Sequence, residues 1–334
     1  MSTAHSSTGL MLTPGKTEPT PVLSVCMSVN GVDHEVLLKL EGKNPSGSIK
    51  YRTAVGLVRA LNDEGRLTPA STIIESTSGN LGVALALVAR EHGYRFHAVV
   101  DPKVQPERLR SMEALGAVVD CVESADGDGN FLEARLHRVQ QLLAANEGYV
   151  WSNQYESPAN PAAHAASTGP EIWQQTRGGL DTVFVAVSTG GTAAGIAEFF
   201  ASTAPHVRVI AVDAVGSTAL GFAPGVRQLT GIGSSRPSTF LKPEMVTTSL
   251  LVSDEEAFAM CGRLRAARGV AVGGSSGAVL AACARYVAEH PEIRLPLCLC
   301  PDDGEHYGES IFGADGEWPL GADQTRLLET VSLR

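Results

Sequence analysis

The chain has 334 residues, 43% of them hydrophobic and 19% charged, with a formal net charge of -10. That balance suits a globular protein of one large or two moderate domains. It excludes a nucleic-acid partner, because phosphate neutralisation needs a basic face and none is visible. No apolar run reaches the length of a membrane span, and residues 1–15 lack a cationic region followed by an apolar core, so the expectation is a cytoplasmic protein with no membrane contact.

In chain order, residues 1–20 are rich in Ser, Thr, Pro and Gly and read as a mobile leader. Residues 36–40 read as a strand, Asn44-Pro45-Ser46-Gly47-Ser48-Ile49 as a tight small-residue turn, and residues 53–61 as a helix. Lys50 stands at this strand-to-helix corner. A lysine so placed can point its amine into a cleft, where desolvation lowers its pKa towards a nucleophilic range. Taken alone, it is more often a solvated surface group.

Short β-branched runs then alternate with helix-like stretches. Residues 72–74 precede a helix at 82–90, 96–100 one at 106–115, 118–122 one at 131–145, and 183–187 one at 193–201. Residues 209–212 and 295–300 add later strands, and a helix is expected over 279–288. This rhythm predicts an α/β protein with mostly parallel twisted sheets and flanking helices. There are too many strands for one comfortable sheet, so two domains are expected, residues 21–157 and 158–334, with the boundary at the Ser157-Pro158-Ala159-Asn160-Pro161 turn. The first strands are expected to pair with the second domain. Six cysteines without a CxxC pair read as reduced, mostly buried small hydrophobes; Cys298 and Cys300, two apart in one strand, share a face. The nine histidines are scattered, and no metal site is expected.

Three further corners carry chemistry. Ser188-Thr189-Gly190-Gly191-Thr192 joins a strand to a helix, and glycines at a helix N-terminus let unpaired N–H groups approach an anion. It is neither GxGxxG nor a lysine-bearing P-loop, so a small phosphate-bearing cofactor fits better than a nucleotide. The bland alternative is a Gly-rich turn that only ends a strand. Thr77-Ser78-Gly79-Asn80 offers donors that are either N-caps or the seat of a substrate carboxylate. Gly273-Gly274-Ser275-Ser276-Gly277 is a third such corner, whose hydroxyls either cap a helix or meet a ring nitrogen.

A corner lysine, a phosphate cradle, a TSGN loop and a serine corner in this order resemble the cysteine synthase-like (fold type II) pyridoxal phosphate enzymes, from Gly15-Lys16-Thr17-Glu18-Pro19-Thr20-Pro21 to Pro301-Asp302-Asp303-Gly304-Glu305-His306-Tyr307. The resemblance implies a homodimer with the cofactor in a cleft between two domains. It implies that Lys50 holds the cofactor as a Schiff base and Asn80 bonds its 3-hydroxyl. Ser188, Thr189, Gly190, Gly191 and Thr192 would hold its phosphate, and Ser275 would face the pyridine nitrogen. Thr77, Ser78, Gly79, Asn80 and Gln154 would bind a substrate carboxylate. A hydroxyl at the ring nitrogen makes a weaker electron sink than an acid would, which favours β-elimination over transamination.

Several stretches resemble a narrower group, the N-(2-amino-2-carboxyethyl)-L-glutamate synthases. These are Ile74-Glu75-Ser76-Thr77-Ser78-Gly79-Asn80-Leu81-Gly82, Val99-Val100-Asp101-Pro102-Lys103, Val187-Ser188-Thr189, Val212-Asp213-Ala214 with Gly216-Ser217, and Gly231-Ile232-Gly233-Ser234-Ser235-Arg236. That likeness implies a β-replacement on O-phospho-L-serine by L-glutamate, through an aminoacrylate, on the route to 2,3-diaminopropionate in siderophore or peptide-antibiotic biosynthesis. It implies that Arg135, Tyr155 and Ser188 bind glutamate, while Arg236 suits a departing phosphate. Tyr51, where the wider family commonly has aspartate, and Gly191-Thr192 in the phosphate loop depart from the narrower pattern. A sulfide-using cysteine synthase with O-phosphoserine or O-acetylserine is the alternative.

Overall fold

The computed structural model describes residues 18–126, 131–304, 307, 311 and 330–334. Most of the expected leader, residues 1–17, lies outside the described residues, as do Glu305 and His306.

Strands β1 (Val22–Val29) and β2 (Val32–Leu40) form an antiparallel hairpin. After it come α1 (Lys50–Asp63), β3 (Thr72–Ser76), α2 (Asn80–Glu91), β4 (Arg95–Val100), α3 (Pro106–Ala114), β5 (Val118–Cys121), α4 (Phe131–Ala145) and β6 (Tyr149–Trp151). The second half runs α5 (Ala159–Ala166), α6 (Thr168–Gln175), β7 (Thr182–Ala186), α7 (Gly191–Thr203), β8 (Arg208–Ala214), β9 (Thr248–Val252), α8 (Asp254–Arg268), α9 (Gly274–Glu289), β10 (Pro296–Cys300) and β11 (Val331–Leu333).

These strands make two sheets. The smaller has the order β5-β4-β3-β6 and is parallel throughout. The larger has the order β11-β1-β2-β10-β7-β8-β9, antiparallel at the β11-β1-β2 edge and parallel from β2 onward. The α/β architecture expected from the sequence is therefore present, and the first two strands sit in the sheet of the second half. The central strands β3 and β10 are buried along their whole length, because helices cover both faces of each sheet. On the larger sheet, α8 and α9 pack on one face through Ala257, Phe258, Leu264, Leu280 and Val287, and α6 and α7 on the other through Ile172, Ile196 and Phe200. On the smaller, Leu57, Leu85 and Met112 of α1, α2 and α3 cover one face and Val139 of α4 the other.

Three boundaries differ from the sequence reading. Thr20, placed in the leader, is 3% exposed and donates its hydroxyl to Glu41 Oε1 at 2.8 Å. The helix expected over 53–61 begins earlier, with Lys50 as the first residue of α1. Residues 158–161, read as a boundary turn, begin α5, which packs between α1 and α7. Close packing there needs glycine: a Cβ on Gly56 would stand 2.6 Å from Ala163 Cβ, and one on Gly195 2.2 Å from Pro161 O.

Candidate active site

Parallel strands deliver their following loops to one end of a sheet. The loops after β3, β7, β8 and β10, with the N-terminus of α1, meet around a cleft of about 780 Å³. Lys50, Thr77, Ser78, Gly79, Asn80, Gln154, Ser188, Thr189, Gly190, Thr192 and Ser275 all line it. Arg135 and Tyr155 also line it, but Arg236 does not.

Burial pushes the Lys50 amine down to about 8, opposed by the charge of Asp302. A fraction of a free amine is thus available near neutral pH, as a Schiff-base nucleophile requires. The carboxylate responsible is the centre of a small network. Asp302 accepts from Asn80 Nδ2 at 2.8 Å, from the Tyr307 hydroxyl at 2.5 Å and from Ser275 Oγ at 3.4 Å. Burial raises its own pKa, while Tyr307 and Asn80 hold it down.

At the other end of the cleft, Gly190 has φ +88°, and a Cβ there would stand 2.0 Å from Ser238 Oγ. One on Gly191 would stand 2.2 Å from Asn160 Oδ1. Gly190 and Gly191 can take no side chain, and the first N–H groups of α7 have no preceding turn to bond, Gly191 N–H reaching Thr189 Oγ1 at 3.4 Å. Thr189 Oγ1 takes the amide of Asn160 at 3.3 Å, and Thr192 Oγ1 lies 3.2 Å from His164 Nε2. His164 also meets Thr53 Oγ1 through Nε2 at 3.0 Å and Thr168 Oγ1 through Nδ1 at 2.9 Å. Burial and the nearby Lys50 and Arg52 charges hold this histidine well below its ordinary pKa.

In the TSGN corner, Thr77 Oγ1 accepts from the N–H groups of Gly79 and Gly82 at 3.2 and 2.9 Å, so it caps α2 and keeps only its proton to donate. Glu75, one strand position before Ser76, organises the opposite loop: it accepts from Ser152 Oγ at 2.7 Å, Gln154 N at 3.0 Å and Trp151 Nε1 at 3.3 Å. Gln154 in turn gives Nε2 to Ser76 O at 2.8 Å.

Two expected donors are already engaged. Ser188 Oγ donates to Gly233 O at 3.0 Å, which leaves its oxygen only as an acceptor. Arg236 spreads its guanidinium over the Tyr155 ring at 5.7 Å and reaches Glu156 at 3.5 Å, just outside the residues that line the cleft. Arg135 lies on no solvated face. It is 5% exposed and pairs through Nε with Asp101 Oδ2 at 3.1 Å. Tyr51 turns into the core against α2, its hydroxyl 3.5 Å from Glu91.

The residues present fit a pyridoxal phosphate. The desolvated amine of Lys50, the glycine turn at the α7 N-terminus and the Asn80 and Ser275 polar groups lie around one cleft of sufficient volume. Sequence reasoning missed Asp302, Asn160, His164 and Glu75. The pattern Asn160-Pro161 followed by His164 at helical spacing was the one available signal, since it marks a helix start rather than a turn.

The family model for pyridoxal-phosphate dependent enzymes matches residues 15–296. The chain is 42% identical over 299 residues to an N-(2-amino-2-carboxyethyl)-L-glutamate synthase of Ralstonia nicotianae, covering 90% of this chain and 88% of the relative. It is 39% identical over 302 residues to the enzyme of that name from Cupriavidus metallidurans, with coverage of 90% and 88%. Among solved structures, the O-acetylserine dependent cystathionine beta-synthase of Helicobacter pylori superposes with a TM-score of 0.80 at 32% identity, covering 86% of this chain and 94% of that one. The chain belongs to the pyridoxal-phosphate dependent enzymes and has the cysteine synthase-like, fold type II architecture.

Proposed function

We propose that this enzyme replaces the phosphate of O-phospho-L-serine with the amine of L-glutamate, giving N-(2-amino-2-carboxyethyl)-L-glutamate and phosphate for 2,3-diaminopropionate synthesis. The observation that carries the reading is Arg135, a buried guanidinium in the cleft wall whose Nη1 has no partner among the described residues. A nucleophile bearing two carboxylates needs such a donor, whereas sulfide needs only access. The names of the two relatives above point the same way. The homodimer and the cytoplasmic location belong to the same reading and rest on resemblance.

In this reading Lys50 tethers the cofactor, the α7 N-terminus with Thr189 and Thr192 holds its phosphate, and Asn80 and Ser275 orient its ring. When bound, the cofactor supplies an electron sink that acidifies the substrate Cα–H and lets the β-substituent leave. Lys50, released from its tether, takes the Cα proton, and its lowered pKa suits that work at neutral pH. Thr77, Ser78 and Gln154 bind the donor's α-carboxylate. Arg135 and Tyr155 orient glutamate, and Asp101 fixes the Arg135 fork from behind.

Ser188 favours the sulfide alternative, because a hydroxyl committed to Gly233 O gives no proton to an incoming carboxylate. The test is to incubate the loaded enzyme with O-phospho-L-serine plus L-glutamate, or plus sulfide, and follow phosphate release and product mass. A glutamate adduct formed faster than cysteine supports the proposal. Cysteine without an adduct refutes it.

A further inference from the structure

The cleft wall built by the start of α3, the start of α4 and the loop before α3 carries Lys103, Arg108 and Arg135. Its carboxylates are committed elsewhere. Asp101 uses Oδ1 for the Lys103 N–H at 2.8 Å and Oδ2 for Arg135 Nε at 3.1 Å. The oxygens of Asp302 are taken by Asn80, Tyr307 and Ser275. Lys103 lays its ammonium 5.2 Å from the centre of the Phe131 ring.

Arg108 is left over. It is 4% exposed, and its Nη2 is enclosed with no hydrogen-bond partner among the described residues. Its stem lies against the TSGN loop, with Cγ 3.6 Å from where a Gly79 Cβ would stand. A guanidinium stays charged at any working pH, and burying one with unpaired N–H groups costs several kcal/mol in order of magnitude unless an anion completes it. Arg135 Nη1 shows the same vacancy of partner on the same wall.

We propose that Arg108 is a substrate-binding residue of this cleft, which with Arg135 receives an oxyanion group of an amino-acid substrate. That group is either the β-phosphate of the donor or a carboxylate of the nucleophile. Asp302 is close enough to be influenced by the Arg108 charge but is turned to other donors, and Arg108 lines the cleft beside it. The inference deepens the function proposed above, since it presupposes an anionic amino-acid substrate.

The test uses the cofactor-loaded enzyme and the variants Arg108→Met and Arg108→Lys. One arm measures L-glutamate affinity by calorimetry. A second measures single-turnover phosphate release from O-phospho-L-serine with no nucleophile present, with O-acetyl-L-serine as a donor that lacks the phosphate. Arg108→Met is expected to keep the cofactor's visible absorption and its melting temperature. It should lose at least about tenfold in one arm, the size of one charge-assisted hydrogen bond, with Arg108→Lys recovering part. A loss in glutamate affinity assigns the carboxylate; a loss confined to O-phospho-L-serine assigns the phosphate. No loss in either arm overturns the inference. So does an equal loss with both donors, or loss of the cofactor from both variants, because Arg108 would then serve the cofactor pocket. Failure of the wild type to bind glutamate would refute the proposed nucleophile, while the phosphoserine arm would still decide the role of Arg108.

Discussion

Asn80 gives its side-chain amide to Asp302 Oδ2 at 2.8 Å, tying the first residue of α2 to the loop after β10 across 222 positions of chain. The same carboxylate takes the Tyr307 and Ser275 hydroxyls, so one buried acid aims both polar groups assigned to the cofactor ring. In Asp302→Asn an amide N–H must face one of these donors. Cofactor affinity, measured by fluorescence titration of the stripped protein, is expected to fall roughly tenfold to a hundredfold, since a lost bond to a charged group is worth about 1.5–3 kcal/mol. An unchanged affinity would show that Asp302 orients nothing.

Gly191 admits no side chain because Asn160 Oδ1 occupies the place of its Cβ, 2.2 Å away. Gly191→Ala must therefore push the start of α7 away from α5 and disturb the phosphate cradle. The expected outcome is weaker cofactor binding with the helical circular dichroism kept. Adding Asn160→Ala removes the obstructing amide, and the double variant should bind cofactor more tightly than Gly191→Ala alone. Equal affinities would argue that the cradle does not depend on this contact.

The parts of this site legible in the sequence are those encoded by local backbone need. Gly190 and Gly191 announce a turn that must approach an anion, and Thr77 and Asn80 announce a helix start. The β-branched run at residues 72–74 announces a strand buried on both faces. Partners that arrive from far along the chain left no such trace beyond the helical spacing of Asn160-Pro161 and His164. Asn160 and His164 sit under the phosphate loop only because α5 packs between α1 and α7, and the Ser157-Pro158 turn signal concealed that helix. Arg135 had the periodicity of an ordinary helical surface residue, and only the fold of Asp101 against it reveals a buried pair. β11 is three residues long and finds its place by pairing with β1, not by its own composition.

Arg52 anchors the helix that begins with Lys50. It spans Glu41 at 2.8 and 2.9 Å and Glu171 at 2.8 and 2.9 Å, and Lys39 joins the same cluster through Glu171. The Glu41 side chain is fully buried. Arg52→Met leaves two enclosed carboxylates to share one lysine, and breaking a buried pair from one side costs about 3–5 kcal/mol. Denaturant unfolding should show a loss of that order. A loss below about 1 kcal/mol would mean that the cluster is solvated in solution and fixes nothing, as exposed pairs are.

Glu75 gives the chain a distinctive pH dependence. Burial pushes its carboxyl up to about 7, although Ser152, Gln154, Trp151 and Ser76 all donate to it. The unfolded chain, with the ordinary value of 4.5, has fewer protons bound at this group between pH 4.5 and 7 than the folded one. Stability contributed by this site is therefore greatest below pH 4.5 and is lost as pH rises through 7. His164 acts in the opposite sense: its depressed pKa makes stability fall as pH drops below 6.5. Glu75→Gln removes only the first effect. Relative to the parent enzyme, its unfolding free energy should rise across pH 4.5 to 7 by about 3 kcal/mol, the worth of the shifted proton affinity. A difference between the two proteins that stays flat over that window would show that Glu75 ionises normally in the fold. The loop carrying Gln154 and Tyr155 would then owe its position to something other than a strained buried carboxyl.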